Sequence, residues 1–442
     1  MLKAFKYRLY PTEDQATQIN KTIGSCRYIY NWALAKSNKA YEDFEKEFKP
    51  KLESGEMTEV QYKKLRPKFN AYKLSNELTQ FKKNPEVPWL NEIEAMALVQ
   101  SLGDLQTAYK NFFTRLKKGV TGKDAGFPQR KKKHGNKQSY RTYESTHTRQ
   151  YVNWQTHTIT LPRIDTPIKV ILSRHFTGQI RNLTVSRTKS GEYYVSIMVD
   201  TLDKPLSVSK ITPAKTIGLD LGLIDMIALS TGEKIKNPKT LKKYEKKFHR
   251  LQQTLARRKG MLKGSVKSNR FLAQKRKIAR LHEKIVRVRE NFAHNLSYKL
   301  THDNQVRTIV VENLNVKGML ANHKLAKSIS DVSWTSFINK LKYKCNWYGV
   351  NLIQINRFAP TSKICCHCGH KNAELTLRDR SWTCSSCGAV LDRDENAAIN
   401  IKNIGLRQHI EIIGGHTAKL TDVEISAFKG SQRNVKQKVQ TG

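Results

Sequence analysis

The sequence predicts a multidomain α+β protein whose centre is an RNase H-like α/β core. From residue 214 onwards the order of elements reads strand, strand, helices, strand, helix, strand, which is the order of that core. Short alternating segments before it, from "THTITLP" to "EYYVSIMVD", predict a small antiparallel β-barrel. Two cysteine pairs after it predict a zinc ribbon inserted before the last helix.

The beginning of the chain predicts one strand followed by a helical region. Residues 2–9, "LKAFKYRL", alternate basic and apolar side chains, and Pro11 and Thr12 end this strand. If the strand joins the barrel, the helices that follow it are an insertion in the barrel. The clearest of these helices has an apolar stripe, which predicts a packed face, at Leu98, Leu102, Leu105, Tyr109, Phe112 and Leu116.

The second half of the chain predicts the α/β core itself. "KTIGLDLGLIDMIALSTGEKI" reads as two strands with a tight connection. Residues 240–300 then form a very basic pair of helices, and "VRTIVVENL", "SWTSFINKLKYKCNWYG" and "VNLIQINRF" complete the order as strand, helix and strand. The apolar stripe of the second basic helix comprises Leu272, Ile278, Leu281, Ile285 and Val288.

The charge of the chain indicates a polyanionic partner. It has 80 Lys+Arg against 37 Asp+Glu, a formal net charge of +43, and a charge this large repels itself unless a polyanion is bound. A Gly- and Lys-rich stretch from residue 115, "RLKKGVTGKDAGFPQRKKKHGNKQSYR", is typical of a loop that contacts phosphate. We find no apolar run of membrane-spanning length and no signal-peptide core, so we expect a cytoplasmic, nucleoid-associated protein without a membrane partner.

The cysteines predict one structural zinc ion. In "ICCHCGHKNAELTLRDRSWTCSSCG", two C-x-x-C pairs are separated by residues 369–383, a spacing typical of zinc ribbons, and the four ligands are Cys365, Cys368, Cys384 and Cys387. Cys366 leaves too short a spacing to Cys368 and is interpreted as free, while His367 and His370 are alternative ligands for which four cysteines leave no vacancy. The isolated Cys26 and Cys345 are interpreted as small buried residues.

Three carboxylates predict a second, catalytic metal site. Asp220 lies in the apolar strand "TIGLDLG", Glu312 ends "TIVVENL", and Asp394 begins the helical segment "DENAAINIKNIG". A buried carboxylate is disfavoured by several kcal/mol unless it is paired or binds a metal. In the RNase H-like order these three groups converge, and they would hold two Mg²⁺ ions for phosphodiester hydrolysis. Asp394 can alternatively be a helix N-cap, and spacing does not choose among Asp392, Asp394 and Glu395.

These motifs resemble those of the TnpB family of transposon-encoded RNA-guided nucleases, which are related to compact type V CRISPR effectors. The resemblance rests on "GLDLG", "VVENL" and the cysteine pairs followed by "DRDENAAINI", with "RLYPT", "CRYIYNWAL", "GFPQRKKK" and "SISDVSW" in support. It covers nearly all of residues 1–405, although residues 40–75 are longer than in many members. It implies a RuvC nuclease site with Asp220, Glu312 and Asp394, the second aspartate of "DRD", as catalytic ligands of Mg²⁺.

The resemblance also implies how the chain is divided into domains. The predicted domains are a wedge barrel formed by residues 1–12 and 119–206, a helical recognition domain at 13–118, a RuvC nuclease domain at 207–362 with the basic hairpin 240–300, a zinc ribbon that binds target nucleic acid at 363–390, the final RuvC helix at 391–405, and a C-terminal tail at 406–442.

The function implied is RNA-guided cleavage of double-stranded DNA beside a short flanking motif, with a guide RNA from the transposon end. A monomer is favoured. Lys131, Lys132, Lys133, Arg257 and Arg258 are candidates for contacts with the nucleic-acid backbone. Three alternatives remain: an RNase H-fold transposase, a structure-specific DNA nuclease, and an RNA-guided repressor that binds without cleavage. The repressor predicts the loss of at least one catalytic acid, and all three acids are present.

Overall fold

A computed structural model describes residues 1–135, 138–143, 151–260, 268–303, 306–357, 359–376 and 378–414. The chain has a mixed α/β fold and divides into two compact units, Met1–Asp203 and Lys204–Gly442. None of the helices in the described ranges combines the length and the apolar character that a membrane span requires.

The first unit is built on a seven-stranded antiparallel sheet that includes the first residues of the chain. Leu2 lies opposite Asp200 and Leu9 opposite Tyr193, so the prediction that the first strand joins the later ones is confirmed. Among the described residues no pairing joins the two end strands, so closure into a barrel stays a prediction. The strands are β1 (Leu2–Tyr10), β2 (Gln138–Thr142), β3 (Val152–Asn153), β4 (Thr158–Ile159), β5 (Ile168–Ile171), β6 (Gln179–Arg187) and β7 (Tyr193–Asp200), in the order β2-β6-β7-β1-β5-β4-β3.

Helices are inserted between β1 and β2, and the first, third and fourth of them share one hydrophobic core with this sheet. They are α1 (Glu13–Glu53), α2 (Glu59–Leu65), α3 (Ala71–Phe81), α4 (Ala95–Lys117) and α5 (Gly122–Ala125). Helix α1 begins after Thr12 because the side chains of Thr12 and Gln15 each accept a hydrogen bond from the other's backbone N–H. The predicted stripe of α4 is buried from Leu98 to Tyr109, but Leu116 is 39% exposed in the last turn, so the stripe extends further than the core that it packs against.

The second unit contains a five-stranded mixed sheet in the order β10-β9-β8-β11-β12. Strand β11 is parallel to its neighbours β8 and β12, whereas β9 is antiparallel to β8 and β10. The sequence predicts two strands before the basic helices, but the sheet contains a third, β10, whose short and lysine-rich segment carries no strand pattern. The strands are β8 (Thr216–Leu221), β9 (Asp225–Leu229), β10 (Lys234–Lys236), β11 (Thr308–Glu312) and β12 (Asn351–Ile355).

Helices cover both faces of this second sheet. Phe337 and Leu341 belong to the core on one face, and Ile401 packs against Val310 and Ile355 on the other. The last helix was predicted to end at residue 405 but continues to Gly414, within the segment predicted as a tail, most of which lies outside the described residues. The helices are α6 (Thr240–Gly260), α7 (Asn269–Tyr298), α8 (Val316–Met319), α9 (His323–Val332), α10 (Trp334–Tyr348) and α11 (Arg393–Gly414).

The predicted basic helical pair is confirmed as α6 and α7, and one buried acid fixes its orientation. The carboxylate of Asp331, in the motif "SISDVSW", accepts the backbone N–H of Leu241 at 2.9 Å and the guanidinium of Arg289 at 2.7 Å. It therefore caps the start of α6 and pairs with α7 at the same time. The predicted stripe of α7 is correct at Leu281 and Ile285. It is wrong at both ends, because Leu272 and Val288 are 39% and 38% exposed while Phe271 and Gln274 are buried.

Helix α11 approaches the sheet closely because glycine stands at two contact points. A Cβ atom on Gly218 of β8 would lie 2.1 Å from the carbonyl oxygen of Ala398, and one on Gly405 would lie 2.4 Å from Cγ1 of Val310. No larger side chain fits at either position without moving the helix. The first turn of α11 is thereby held beside the carboxyl ends of β8 and β11.

A small antiparallel ribbon precedes α11. Its strands are β13 (Ser381–Thr383) and β14 (Val390–Asp392), and its core contains Leu375, Trp382 and Leu391 together with two cysteines. Because β14 ends where α11 begins, the position of the ribbon and the position of the helix are linked through the backbone.

Candidate metal centres

Two of the predicted carboxylates lie at the ends of neighbouring parallel strands. The register places Val310 of β11 opposite Gly218 of β8 and Val311 opposite Leu219, so Glu312 comes beside Asp220 one residue further along. Side chains alternate between the two faces of a strand. Asp220 and Glu312 therefore share the face of Gly218, which α11 covers.

The third predicted carboxylate, Asp394, lies in the first turn of α11 and is not the helix cap. The backbone N–H groups of Asp394 and Glu395 both donate to Oδ1 of Asp392, at 3.1 and 3.0 Å. Asp392 is thus the N-cap, and its other oxygen accepts from Lys234 at 2.7 Å. Burial acts to raise the pKa of Asp392, but Lys234 and the two N–H groups outweigh it and lower the pKa overall. The carboxylate of Asp394 remains available for another role.

The three carboxylates affect one another electrostatically. Burial, followed by the charges of Glu312 and Asp394, raises the pKa of Asp220 to about 7, while Arg393 acts in the opposite direction. Burial also raises the pKa of Glu312, and this rise is limited by the Thr361 hydroxyl, which donates to its Oε1 at 2.7 Å. A site with these properties favours either a proton on Asp220 or a cation among the three groups.

A second group of metal-ligating side chains lies in the ribbon. The Sγ atoms of Cys365, Cys368, Cys384 and Cys387 all lie within 4.8 Å of one another, and in the described part of the chain no other His, Cys, Asp and Glu side chains are gathered so closely. The Sγ atoms are 3.7 Å apart in the pair Cys365–Cys387 and 3.5 Å apart in the pair Cys368–Cys384. A tetrahedral zinc ion with Zn–S bonds of about 2.3 Å requires sulfur atoms roughly 3.8 Å apart, so the four cysteines fit it.

The two cysteine pairs have matching backbone conformations. The carbonyl of Cys365 accepts from the N–H of Gly369, and that of Cys384 accepts from Gly388, each at 2.9 Å. Both glycines have positive φ angles, +80° and +72°, which an L-residue rarely adopts. These turns direct both thiols of each pair to the same side. Cys366, His367 and His370 are not part of this group.

Two asparagines that sequence analysis did not single out connect the ribbon to α11. Asn396 is 1% exposed, accepts the N–H of Cys366 at 2.8 Å and donates to the carbonyl of Ile364 at 2.8 Å. One turn later, Asn400 donates to the carbonyls of Thr361 and Ile364, at 2.8 and 2.6 Å. The sequence does contain a signal for them, namely two asparagines four residues apart in a predicted helix. Asparagine is unfavourable inside a helix unless its side chain has a specific partner.

The asparagines and the carboxylates are joined through Thr361. Its carbonyl accepts from Asn400 of α11, and its hydroxyl donates to Glu312 of β11. Thr361 lies shortly before the first cysteine pair and is 5% exposed. The orientation of Glu312 therefore depends on the segment that enters the ribbon.

The five candidate nucleic-acid contacts lie in two places and differ in availability. Lys131 is held by helix α1: its backbone pairs with the Asn31 side chain, and its ammonium lies 4.1 Å from the centre of the Tyr30 ring. Arg258 donates to the carbonyl of Arg270 at 2.8 Å and thereby joins α6 to α7. The remaining three side chains, those of Lys132, Lys133 and Arg257, are exposed.

We expect Asn400→Ala to loosen the ribbon from α11. The substitution leaves the buried carbonyl of Thr361 without its donor and that of Ile364 with Asn396 alone, so the free energy of unfolding should fall by about 1–3 kcal/mol and the amides of residues 361–366 should exchange faster. Chemical denaturation and hydrogen-exchange mass spectrometry measure the two effects. The matched control is Asn403→Ala on the same helix, where the side chain is partly exposed. Equal behaviour of the two variants would show that the bonds of Asn400 do not hold the segment.

Comparison with known proteins gives matches along most of the chain. The family described as "Cas12f1-like, TNB domain" matches residues 334–401, and the family described as "Probable transposase" matches residues 196–323. A family described as "Helix-turn-helix domain" matches residues 1–46, although the structure there consists of β1 followed by the single long helix α1.

Whole-chain relatives extend these matches. A candidate RNA-guided DNA endonuclease of Streptomyces pristinaespiralis is 36% identical over 408 residues, which cover 91% of this chain and 89% of the relative. The candidate RNA-guided DNA endonuclease InsQ of Escherichia coli K12 is 30% identical over 421 residues, with coverage of 91% and 92%. A protein chain of a Cas12f1–sgRNA–target DNA complex shares 17% identity over 91% of this chain and 99% of that one, with a TM-score of 0.33. On the evidence of the whole-chain relatives, this protein belongs to the TnpB family.

Proposed function

We propose that this protein is an RNA-guided DNA endonuclease that cleaves double-stranded DNA complementary to its guide. The observation that carries the proposal is the placement of Asp220, Glu312 and Asp394 at one end of the five-stranded sheet, where burial and the charges of the other two raise the pKa of Asp220 to about 7. Family membership supports it, because the Streptomyces and Escherichia coli relatives are named for this activity and match over about nine tenths of the chain. The high positive charge suits two nucleic-acid partners.

We assign the five-stranded sheet to a RuvC core of the RNase H-like type. Support comes from its order, in which an antiparallel three-stranded meander is followed by two parallel strands, and from α11 on the opposite face to α7 and α10. In open sheets, ligands bind beyond the carboxyl ends of strands, where Asp220 and Glu312 lie. We retain the predicted wedge, recognition and ribbon domains as parts of this proposal, with a monomer as the working state.

The three carboxylates are suited to divalent cations because they offer only oxygen ligands and repel one another without a cation. When bound, two Mg²⁺ ions activate a water and stabilise the leaving oxygen of a phosphodiester. The protein contributes the placement of the ligands. Thr361 orients Glu312, Asp392 takes the cap position and so leaves Asp394 available, and Asp220 would give up its proton when a cation binds. Arg380, 3.8 Å from Asp394, adds a positive group that a phosphate can contact.

The four ribbon cysteines are assigned to one structural zinc ion. Their spacing fits a tetrahedral ion, and the ribbon has too small a core to hold its fold without a crosslink. The ion would keep the segment before α11 in place rather than take part in cleavage. Of the candidate nucleic-acid contacts, we propose Lys132, Lys133 and Arg257 as the ones most available to phosphates.

The function is tested by expressing the gene together with its flanking genomic DNA, purifying the protein, and sequencing the RNA that accompanies it. We expect a discrete RNA with a guide segment, and Mg²⁺-dependent cleavage of a matching duplex. Asp394→Asn should lower the cleavage rate about a thousandfold or more while RNA-directed DNA binding is unchanged, since several kcal/mol of transition-state stabilisation are lost.

The control for this experiment is Glu374→Gln, which makes the same charge change at an exposed acid of the ribbon. Equal loss of binding and cleavage in Asp394→Asn would assign a structural role to Asp394. The absence of a discrete RNA would instead favour a transposase or a structure-specific nuclease that uses the same three acids.

Metal binding should depend on pH through Asp220. Its pKa of about 7 in the metal-free protein means that Mg²⁺ displaces a proton below pH 7, so the apparent affinity should fall about tenfold per pH unit there and level off above about pH 8. By the same shift, metal-free folding becomes less favourable as pH rises from about 4 to about 7, because the fold prefers protonated Asp220. Calorimetry in buffers of different ionisation enthalpy should count about one proton released at pH 6 and none at pH 8.5. Equal counts at both pH values would contradict the assignment.

Zinc content tests the ribbon separately from the carboxylates. Cys384→Ser removes one thiolate of the four, so the purified protein should lose most of its zinc and residues 363–390 should exchange their amides rapidly. Cys366→Ser is the matched control and should keep one zinc ion per chain. Elemental analysis decides between them, and unchanged zinc in Cys384→Ser would refute the four-cysteine site.

A further inference from the structure

The helical part of the first unit contains an open groove of about 840 Å³. It lies between α1, the segment that includes and follows α2, and the second half of α4. Its size falls in the range of sites that hold a small ligand or one or two nucleotides. Six aromatic residues line it: Tyr41, Phe69, Tyr109, Phe112, Phe113 and Phe127.

The rings of this aromatic groove are packed against one another but are not all covered. The Phe69 and Tyr109 rings stack with their planes inclined by 30° and their centroids 5.2 Å apart, and Phe127 meets Phe112 edge-on at 5.3 Å. Phe113 and Phe127 are nevertheless 45% and 42% exposed. Neighbouring phenylalanines left in water are unfavourable, so the exposed faces indicate a surface that a ligand covers.

The charges around the groove are mostly positive. Lys68, Lys110 and Lys117 are exposed and form no salt bridge with any described residue. The guanidinium of Arg66 lies over the Tyr41 ring at 4.9 Å and donates to its hydroxyl. Among the described residues that line the groove, Glu42 is the one acid. Basic side chains around aromatic faces are complementary to a ligand that is both anionic and planar.

We propose that the aromatic groove binds unpaired nucleotides, with bases stacked on the exposed rings and phosphates beside the lysines. Stacking on aromatic side chains within a positively charged groove is how single strands are held without sequence preference, and cation–π contacts from arginine add to it. A duplex hides the faces of its bases and does not fit this surface. The inference deepens the proposed function and rests on it for the natural source of the strand, which is either guide RNA or DNA.

The test uses the full-length protein and short oligonucleotides of uridine that carry 5-iodouridine, in ribose and deoxyribose forms. Ultraviolet crosslinking at raised salt, followed by peptide mapping, should label the groove rings, because salt weakens phosphate contacts more than stacking. If only the ribose form labels the groove, the groove binds RNA. If only the deoxyribose form labels it, the groove binds DNA, and labelling by both forms means that it accepts either nucleic acid. Labelling confined to other sites overturns the proposal.

Three variants separate stacking from packing. Phe113→Leu keeps an apolar side chain but loses the ring, and should reduce groove labelling and single-strand affinity about tenfold. Phe113→Tyr keeps the ring and should retain both, while Tyr10→Leu removes an exposed ring of β1 outside the groove and should change neither. Unchanged labelling in Phe113→Leu, or equal competition by a duplex of the same sequence, overturns the proposal. Since the assay needs neither guide nor cleavage, its result is independent of whether the nuclease assignment holds.

Discussion

Three carboxylates at one end of the second unit's sheet repel one another, and the packing of that unit keeps them there. The shift in pKa of Asp220 to about 7 corresponds to on the order of 4 kcal/mol disfavouring its ionised form without a cation. That free energy is offset by packing: Ala397, Ala398 and Ile401 of α11 are fully buried, and Gly218 lets the helix approach the strand. The fold thus tolerates unfavourable repulsion among the three carboxylates, and bound divalent cations would remove that repulsion.

The sheets were largely predictable because period-two alternation and apolar runs are local properties of the sequence. The joining of β1 to β7 and the sequence of the strands β8, β9, β11 and β12 follow from them, whereas the short β10 does not. The errors at the helix ends have a common cause. An apolar stripe indicates which face of a helix is buried, but not how far along the helix the covering surface extends. Leu116 and Val288 continue apolar stripes beyond the surfaces that cover them, and α11 continues past its predicted end.

The candidate site residues could be predicted where the residue type itself indicates the chemistry, as for cysteines and buried carboxylates. They could be predicted less well where the site depends on contacts between distant segments. Spacing gave the four cysteines, and buried carboxylates in apolar strands gave Asp220 and Glu312. Spacing did not choose between Asp392 and Asp394, and Asp394 was named only through the family resemblance; the cap geometry adds that Asp392 is occupied as the helix cap. The aromatic groove was not foreseen, because Tyr41, Phe69 and Phe127 are distant in sequence and meet only when the helices pack.

The ribbon and the carboxylates are structurally coupled by hydrogen bonds, although the predicted zinc ion would take no part in hydrolysis. Helix α11 carries Asp394 in its first turn and, through Asn396 and Asn400, holds the segment that leads into the cysteines. Thr361 of that segment fixes Glu312, so a shift of the ribbon changes the direction of a carboxylate on a strand that the ribbon does not join. Buried amide–carbonyl bonds have few alternative arrangements, and a displaced partner is left unsatisfied. A zinc ion bound by the four cysteines, as proposed, would therefore also limit where the carboxylates of Glu312 and Asp394 can point.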